Sequence, residues 1–150
     1  MRLGVSFHEA LSGSYWRLAD PTVELAITLR LRFLMGDVRE FLREKRWRVK
    51  GTIDAEGLAS GAEVEGVVGS RLMEERRLPY QMAFAGDDGF RYELCGQKEW
   101  SGLEPLGSLT ILPVSVFDPE GEELARGTLR FDVRADFWRG LTSVRLLAGR

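Results

Sequence analysis

The sequence predicts a mainly β protein in which an antiparallel sheet closes, or nearly closes, into a barrel of about eight strands. Apolar and polar residues alternate along the whole of "TVELAITLRLRFLM", with the period of two that is typical of a β-strand. Turn signals recur at short intervals, and strands do not alternate with helices, which argues against a parallel α/β fold. Closure is favoured because long regular strands would otherwise leave exposed edges, and a two-sheet sandwich is the alternative.

The first element, in "SFHEALSGSYW", is predicted to be a strand that ends at Gly13. Successive side chains of a strand point to opposite faces, so if Val5 and Phe7 face the interior, Glu9 does too and His8 faces solvent. A serine-histidine triad is not indicated, because "SGSYW" is not a nucleophile elbow. We therefore expect Glu9, rather than His8, to be the residue of chemical interest.

The second and third elements differ in period. The alternation in "TVELAITLRLRFLM" predicts a long, half-buried strand. "GDVREFLREKR" then places its apolar residues at helical spacing and predicts a short surface helix from about Asp37 to Lys45. The cations of this helix, continued in "WRVK", are interpreted as a solvated face rather than a phosphate-binding patch, because glutamates are interleaved with them.

Six more strands are predicted in the segments "WRVKGTID", "AEVEGVVGSRLM", "LPYQMAFAG", "FRYELCGQKEW", "SLTILPVSVFD" and "EELARGTLRFDVR". The Asp-Gly step of "DDG" predicts a hairpin between the third and fourth of these segments, and "PEG" predicts a turn between the last two. At the C-terminus, "ADFWRGLTSVRLL" places Phe137, Leu141 and Val144 at helical spacing, which predicts an amphipathic helix.

The composition is that of a single soluble domain over residues 1–150. A formal net charge of −2 gives no electrostatic reason to expect a nucleic-acid partner. Cys95 is the only cysteine, so an intramolecular disulfide and a cysteine-histidine zinc site are excluded. No apolar run approaches the roughly 20 residues of a membrane span, no signal peptide is recognisable and no nucleotide-binding motif occurs. We expect a cytoplasmic protein without a metal or cofactor.

Two charges are predicted to face the barrel interior. Glu9 shares its face with Val5 and Phe7, and Lys98 falls in a row with Phe90, Tyr92 and Leu94. Burying either charge alone is unfavourable by several kcal/mol, whereas a hydrogen-bonded pair offsets much of that penalty. The sequence therefore suggests that Glu9 meets Lys98. The alternative is that both lie at strand ends and reach water, with the lysine stem lying along Trp100.

Aromatic residues complete the candidate ligand site. Tyr80 and Phe84 are predicted to face inward from one arm of the "DDG" hairpin, and Phe90 and Tyr92 from the other. A lipocalin-like barrel of about eight strands can enclose one small ligand. The predicted ligand-binding residues are Glu9, Tyr80, Phe84, Phe90, Tyr92 and Lys98.

Several segments, taken in order, resemble an accessory β-rich region of bacterial glucose-methanol-choline oxidoreductases of the cholesterol-oxidase-like type. The shared features are Phe7, Glu9 and Gly13, the step from Tyr80 to Phe84, and the segments "YELCGQK" and "GTLRFDVRADFWRGLTS". The flavin domain that performs oxidation in those enzymes has no counterpart in this sequence. The resemblance implies an accessory barrel associated with lipid or sterol chemistry, with an oxidoreductase as its partner.

Three functions follow as hypotheses. The leading one is a barrel that binds an apolar or amphipathic small molecule, or that serves as the accessory module of a lipid-modifying oxidoreductase. The second is an isomerase or cyclase with Glu9 as general base, against which a neighbouring lysine ammonium argues, since a general base needs a raised pKa. The third is a filled structural barrel that interacts with other proteins through its surface. The volume of the interior distinguishes the third from the other two.

Overall fold

A computed structural model of the chain describes residues 2–35, 39, 43, 46–69, 77–99, 111–131 and 145–149. At 2–7, 35, 77–78, 98–99 and 145–149 only the backbone is described. The described residues form nine strands: β1 (Arg2–Arg17), β2 (Asp20–Met35), β3 (Arg46–Ala55), β4 (Ala59–Gly69), β5 (Arg77–Ala85), β6 (Arg91–Glu99), β7 (Ile111–Phe117), β8 (Glu123–Phe131) and β9 (Arg145–Gly149).

The strands β1 to β8 close into an antiparallel barrel. Each strand pairs with the next along the chain, and β8 then pairs with β1. The prediction of a closed eight-stranded barrel is therefore confirmed, and the sandwich alternative is wrong because one continuous sheet runs around the molecule. Closure satisfies the backbone hydrogen bonds that an edge strand would leave to solvent.

The long strand β1 holds the closure together. One of its edges pairs with β2, while the other pairs with β8 along Leu11–Arg17 and with β9 along Arg2–Ser6. The predicted end of this strand at Gly13 is wrong. Gly13 instead allows close strand packing, because a Cβ atom there would lie 1.9 Å from the carbonyl oxygen of Thr128 on β8.

Alternate residues of the strands fill the interior, as the period of two predicts. In β2 the inward row is buried from Ile27 to Phe33, which confirms the long half-buried strand. The inward arm predicted for β5 is also confirmed. The buried core consists of apolar and tyrosine side chains: Leu11, Tyr15, Ile27, Leu29, Leu31, Phe33, Val49, Ile53, Ala55, Leu58, Ala59, Val64, Val68, Tyr80, Met82, Phe84, Tyr92, Leu94, Leu112, Val114, Val116, Ala125 and Leu129.

The two ends of the barrel differ. At one end, here called the turn end, tight turns at 18–19, 56–58, 86–90 and 118–122 join successive strands. The predicted "DDG" and "PEG" turns both lie here, and Gly89 and Gly121 adopt φ values of 83° and 82° that favour glycine. At the other end, here called the far end, β2, β4, β6 and β8 finish.

Two prolines lie where ladders stop near the far end. Pro79 of β5 pairs with β6 but lies one residue beyond the β4–β5 ladder, and Pro113 of β7 pairs with β8 but lies one residue beyond the β6–β7 ladder. Proline has no N–H to donate, so it is tolerated where a strand has a partner on one side only. Pairing on β5 and β7 is therefore one-sided at these positions.

The two predicted helices are not confirmed. Of the one at about Asp37 to Lys45, only Arg39 and Arg43 belong to the described residues, and both are helical and exposed. The C-terminal helix lies outside the described residues as far as Val144. From Arg145 onward it is wrong, because Arg145–Gly149 is a strand that pairs with the first residues of β1. Its apolar residues suit a strand as well, and the free edge of β1 gives them a partner that local periodicity does not reveal.

Candidate functional site

A hydrogen bond crosses the lumen of the barrel. The Tyr80 hydroxyl donates to Oε1 of Glu9 at 2.8 Å. Tyr80 lies on β5 and Glu9 on β1, and these strands face each other, since β2–β4 separate them on one side and β6–β8 on the other. Leu11 and Tyr15, which share the face of Glu9, are both 1% exposed. The predicted inward position of Glu9 agrees with this register, and its partner across the lumen is Tyr80.

Burial and charge both act on the Tyr80 hydroxyl. Desolvation in the barrel interior raises the pKa of Tyr80 well above its ordinary value of 10.0, and the negative charge and hydrogen bond of Glu9 raise it further. Tyr80 therefore stays a neutral donor at physiological pH. A neutral donor facing a carboxylate makes a charge-assisted hydrogen bond, which is stronger than one between two neutral groups.

Aromatic rings surround this bond. The Phe33 ring packs edge-on against Tyr80, with centroids 6.3 Å apart, and edge-on against Trp47, with centroids 6.4 Å apart. Tyr80 and Phe33 are each 3% exposed, whereas Trp47 is only partly buried. The bond between Tyr80 and Glu9 thus lies in an aromatic setting that reaches the surface on the side of Trp47.

Most inward-facing side chains are buried, but three near the far end are only half-buried. Leu29, Leu94 and Leu129 are 0% exposed, so the lumen is filled where these three side chains lie. Glu9 is half-buried, and so are Trp47 on β3 and Phe131 on β8, although all three share a face with buried residues of their own strands. Burial near the far end is therefore uneven, because Phe33 of β2 and Val68 of β4 stay buried while Glu9, Trp47 and Phe131 are partly accessible.

The other predicted aromatic residues lie at the turn end. Phe84 and Tyr92 stack with centroids 5.9 Å apart and are 3% and 8% exposed, so they belong to the filled core. Phe90 is 60% exposed, and its predicted inward position is wrong. The reason is that β6 begins at Arg91, so Phe90 belongs to the turn, where side chains do not alternate. It borders a shallow groove of about 500 Å³ at the turn end.

Lys98 lies on β6 opposite Leu78 of β5, two residues beyond Gly96, which is opposite Tyr80. Its side chain lies outside the described part of the chain, so a contact between Lys98 and Glu9 stays a prediction. His8 is exposed, as the alternation of β1 predicts.

The carboxylates of the turn end act mainly as caps. Asp87 accepts a hydrogen bond from the Ser60 amide at 3.0 Å, and Asp88 accepts one from the Phe90 amide at 2.9 Å. Asp88 also accepts a hydrogen bond from the Tyr92 hydroxyl. Together with the bond from the Phe90 amide, it lowers the pKa of Asp88 below its ordinary value of 3.8. Asp118 accepts the amides of Glu120 and Glu122. Side-chain capping of turns explains this acidic cluster without a ligand.

No protein-family model matches the chain, and no curated protein matches it in sequence. Within the described ranges, no group of histidine, cysteine, aspartate and glutamate side chains is arranged to hold a metal ion. None of the described residues forms a helix long and apolar enough to cross a bilayer.

Proposed function

We propose that the barrel binds an amphipathic small molecule at its far end. The apolar part of the molecule lies against Trp47 and Phe131, and its polar head meets Glu9. The observation that carries this proposal is the Glu9–Tyr80 hydrogen bond, which crosses the lumen near the far end, where the inward-facing Trp47 and Phe131 are half-buried. A binding barrel needs such a place, in which apolar walls enclose a few oriented polar groups.

The polar pair is also hard to explain by stability alone. A lumen filled with apolar side chains of similar volume avoids the desolvation of a carboxylate and a hydroxyl. Glu9 accepts hydrogen bonds and carries negative charge, so the preferred head is a donor, either a hydroxyl or an amine. A sterol combines such a hydroxyl with an apolar body, and the resemblance to accessory regions of cholesterol-oxidase-like enzymes favours this class as the natural ligand.

The filled turn end favours a second candidate. The lumen is packed around Leu11 and the other buried leucines. Such packing is expected of a structural barrel that acts through its outer surface. In that case the Glu9–Tyr80 bond only fixes the two walls relative to each other. The two candidates differ in whether the far end takes up a ligand.

The test compares three probes with one apolar chain and different heads: dodecylamine, dodecanol and dodecanoate. Titration of the whole chain by calorimetry should show saturable binding of the amine and the alcohol and weaker binding of dodecanoate, whose carboxylate faces that of Glu9. Glu9→Gln should weaken dodecylamine binding about tenfold, as expected for the loss of one charge-assisted contact. Glu65→Gln is the matched control, since Glu65 is an exposed carboxylate on the outer face of β4.

Native mass spectrometry of the protein purified from its own host should in addition reveal a co-purifying lipophile. If no probe saturates, or if the two variants bind dodecylamine with equal affinity, the binding function is wrong and the structural candidate is supported.

A further inference from the structure

A positively charged groove runs along the outer wall of β1, β2 and β3. It has a volume of about 650 Å³. Its cations come from two neighbouring strands, Arg30 and Arg32 on β2 and Lys50 on β3, and His8 on β1 also lines it. Small residues between them, among them Ala10 and Ser12, leave the space open. Glu9 also borders this groove, but the cations and hydroxyls lie on the outward-facing rows of the three strands, whereas Glu9 belongs to the inward-facing row of β1.

Like charges lie directly opposite each other in this wall. In the register of the sheet, Arg32 of β2 is directly opposite Lys50 of β3. Like-charged cross-strand neighbours destabilise a sheet. Among the described residues, Arg30, Arg32 and Lys50 make no hydrogen bond or ion pair with another side chain. Glu65, opposite Lys50 on β4, borders the patch without pairing with it. The fold thus retains uncompensated positive charge at this place.

Hydroxyl groups line the same groove. Ser12 and Thr28 are direct cross-strand neighbours, and Thr52 is the neighbour of Arg30. Within the described ranges none of the three hydroxyls is engaged in a hydrogen bond. Residues two apart on one face of a strand lie about 6.6 Å from each other, and cross-strand neighbours about 5 Å, so the long cationic side chains can converge on one small anion.

We propose that this groove binds the phosphate group of a phosphate ester. A phosphate offers several acceptor oxygens, which suit two guanidinium groups, an ammonium group and neighbouring hydroxyls. A site for single-stranded nucleic acid needs aromatic side chains on which bases stack, and none of the described residues that line the groove is a phenylalanine, tyrosine or tryptophan. Glu63 and Glu65 bound the patch on the side of β4, so it forms a compact site rather than a continuous track for a polyanion. The ester is either a soluble metabolite or the headgroup of a phospholipid.

The experiment uses the isotope-labelled whole chain and follows the amide resonances of Ser12, Thr28 and Thr52 by nuclear magnetic resonance. Inorganic phosphate and glycerol 3-phosphate are titrated in turn, and flotation with vesicles of phosphatidylglycerol or phosphatidylcholine tests the lipid source. We expect saturable shifts at these three amides. Arg32→Gln should weaken binding about tenfold, because it removes one charge-assisted contact. The matched control is Arg91→Gln, an exposed cation on the outer face of β6.

The outcomes separate the sources and the alternatives. Binding of the soluble esters identifies a metabolite site, whereas flotation with phosphatidylglycerol vesicles alone identifies a lipid headgroup. Should Arg32→Gln fail to fold, Lys50→Gln gives the same comparison. The proposal is overturned if the amide shifts do not saturate, or if Arg32→Gln and Arg91→Gln lose equal affinity for the phosphate ester. Binding of only a long nucleic acid would also overturn it. A failure of the far-end site leaves this test unaffected, because its resonances and variants lie on the outer wall.

Discussion

Among single residues, Tyr80 has the largest electrostatic consequence for the protein. Burial and the charge of Glu9 raise the pKa of Tyr80 well above 10.0 in the folded chain. In the unfolded chain this tyrosine ionises near its ordinary value. Its contribution to stability is therefore complete below about pH 10 and is lost as pH rises through the folded value. The free energy of unfolding should fall more steeply from about pH 9 to about pH 11 in the wild type than in Tyr80→Phe.

Urea unfolding over this pH range measures both slopes. The pKa values of Tyr15 and Tyr92 are also raised, the first mainly by burial and the second mainly by the hydrogen bond to Asp88. Tyrosinate absorbance of the folded protein should accordingly develop late, and Tyr80→Phe should remove the last step. Equal alkaline slopes in the two proteins would contradict a buried, neutral Tyr80.

The residue scale also shows where sequence reasoning about the site succeeds and fails. The direction of a side chain in a strand is a local property, so alternation is enough to place His8 outside and to favour Glu9 inside. The partner of Glu9 is not local, because Tyr80 is 71 residues away and approaches only when the barrel closes. The prediction for Phe90 is wrong because Phe90 lies one residue before β6 begins, and side chains do not alternate outside a strand.

At the scale of elements, glycines set how closely neighbouring strands approach. A Cβ atom at Gly51 of β3 would lie 1.7 Å from the carbonyl oxygen of Arg30 on β2. Backbone atoms cannot rotate away as a flexible side chain can, so the two strands would have to separate. Gly51→Ala should lower the free energy of unfolding by about 1–3 kcal/mol or more.

The control for this substitution is Thr52→Ala at the adjacent, outward-facing position. It should change stability by less than about 0.5 kcal/mol. Thermal unfolding followed by circular dichroism compares the two. A Gly51→Ala protein as stable as the control would show that β2 and β3 have room for a side chain at this point.

Strands and turns could be predicted where the local sequence pattern agrees with the burial that the fold imposes. The long alternation of β2 and the Asp-Gly turn between β5 and β6 needed no tertiary information. The end of β1 and the strand β9 could not be predicted, because both depend on the partner that lies beside β1. Gly13 resembles a strand end in the sequence, yet close packing against β8 is its role in the fold.

At the scale of the whole molecule, neighbouring strands of the barrel pair along ladders of unequal length, and each pairing is here called a seam. The sequence favours closure over a sandwich, because closure removes the edges that long regular strands would expose, but it does not indicate which pair of strands is held most weakly. Strand β1 pairs with β2 along most of its length. The β6–β7 seam pairs only Glu93–Gly96 with Val114–Phe117 within the described residues, and Pro113 lies just beyond it. We expect local opening of the barrel to begin at this seam.

A disulfide across this seam tests that expectation. Cys95 of β6 lies directly opposite Ser115 of β7 in the register, and both are half-buried on the outward-facing rows of their strands. The Cα atoms of directly paired antiparallel residues lie about 4.5–5.5 Å apart, which is within disulfide range. Ser115→Cys should therefore form a bond with Cys95 on oxidation. Because burial and the charge of Glu93 raise the pKa of the Cys95 thiol, the bond should form faster as pH rises.

The bond encloses the chain between β6 and β7, and loop-closure entropy predicts a gain of about 3 kcal/mol over the reduced form of the same variant. Comparison with the reduced form removes the effect of the hydrogen bond that Ser115 gives to Glu123 at 3.1 Å, since both forms lack it. Hydrogen exchange should slow most at Leu94 and Val116 if this seam opens first, and change little in β1. Stabilisation with the same slowing in every strand would mean that these amides exchange only through global unfolding, and the barrel would then open as one cooperative unit.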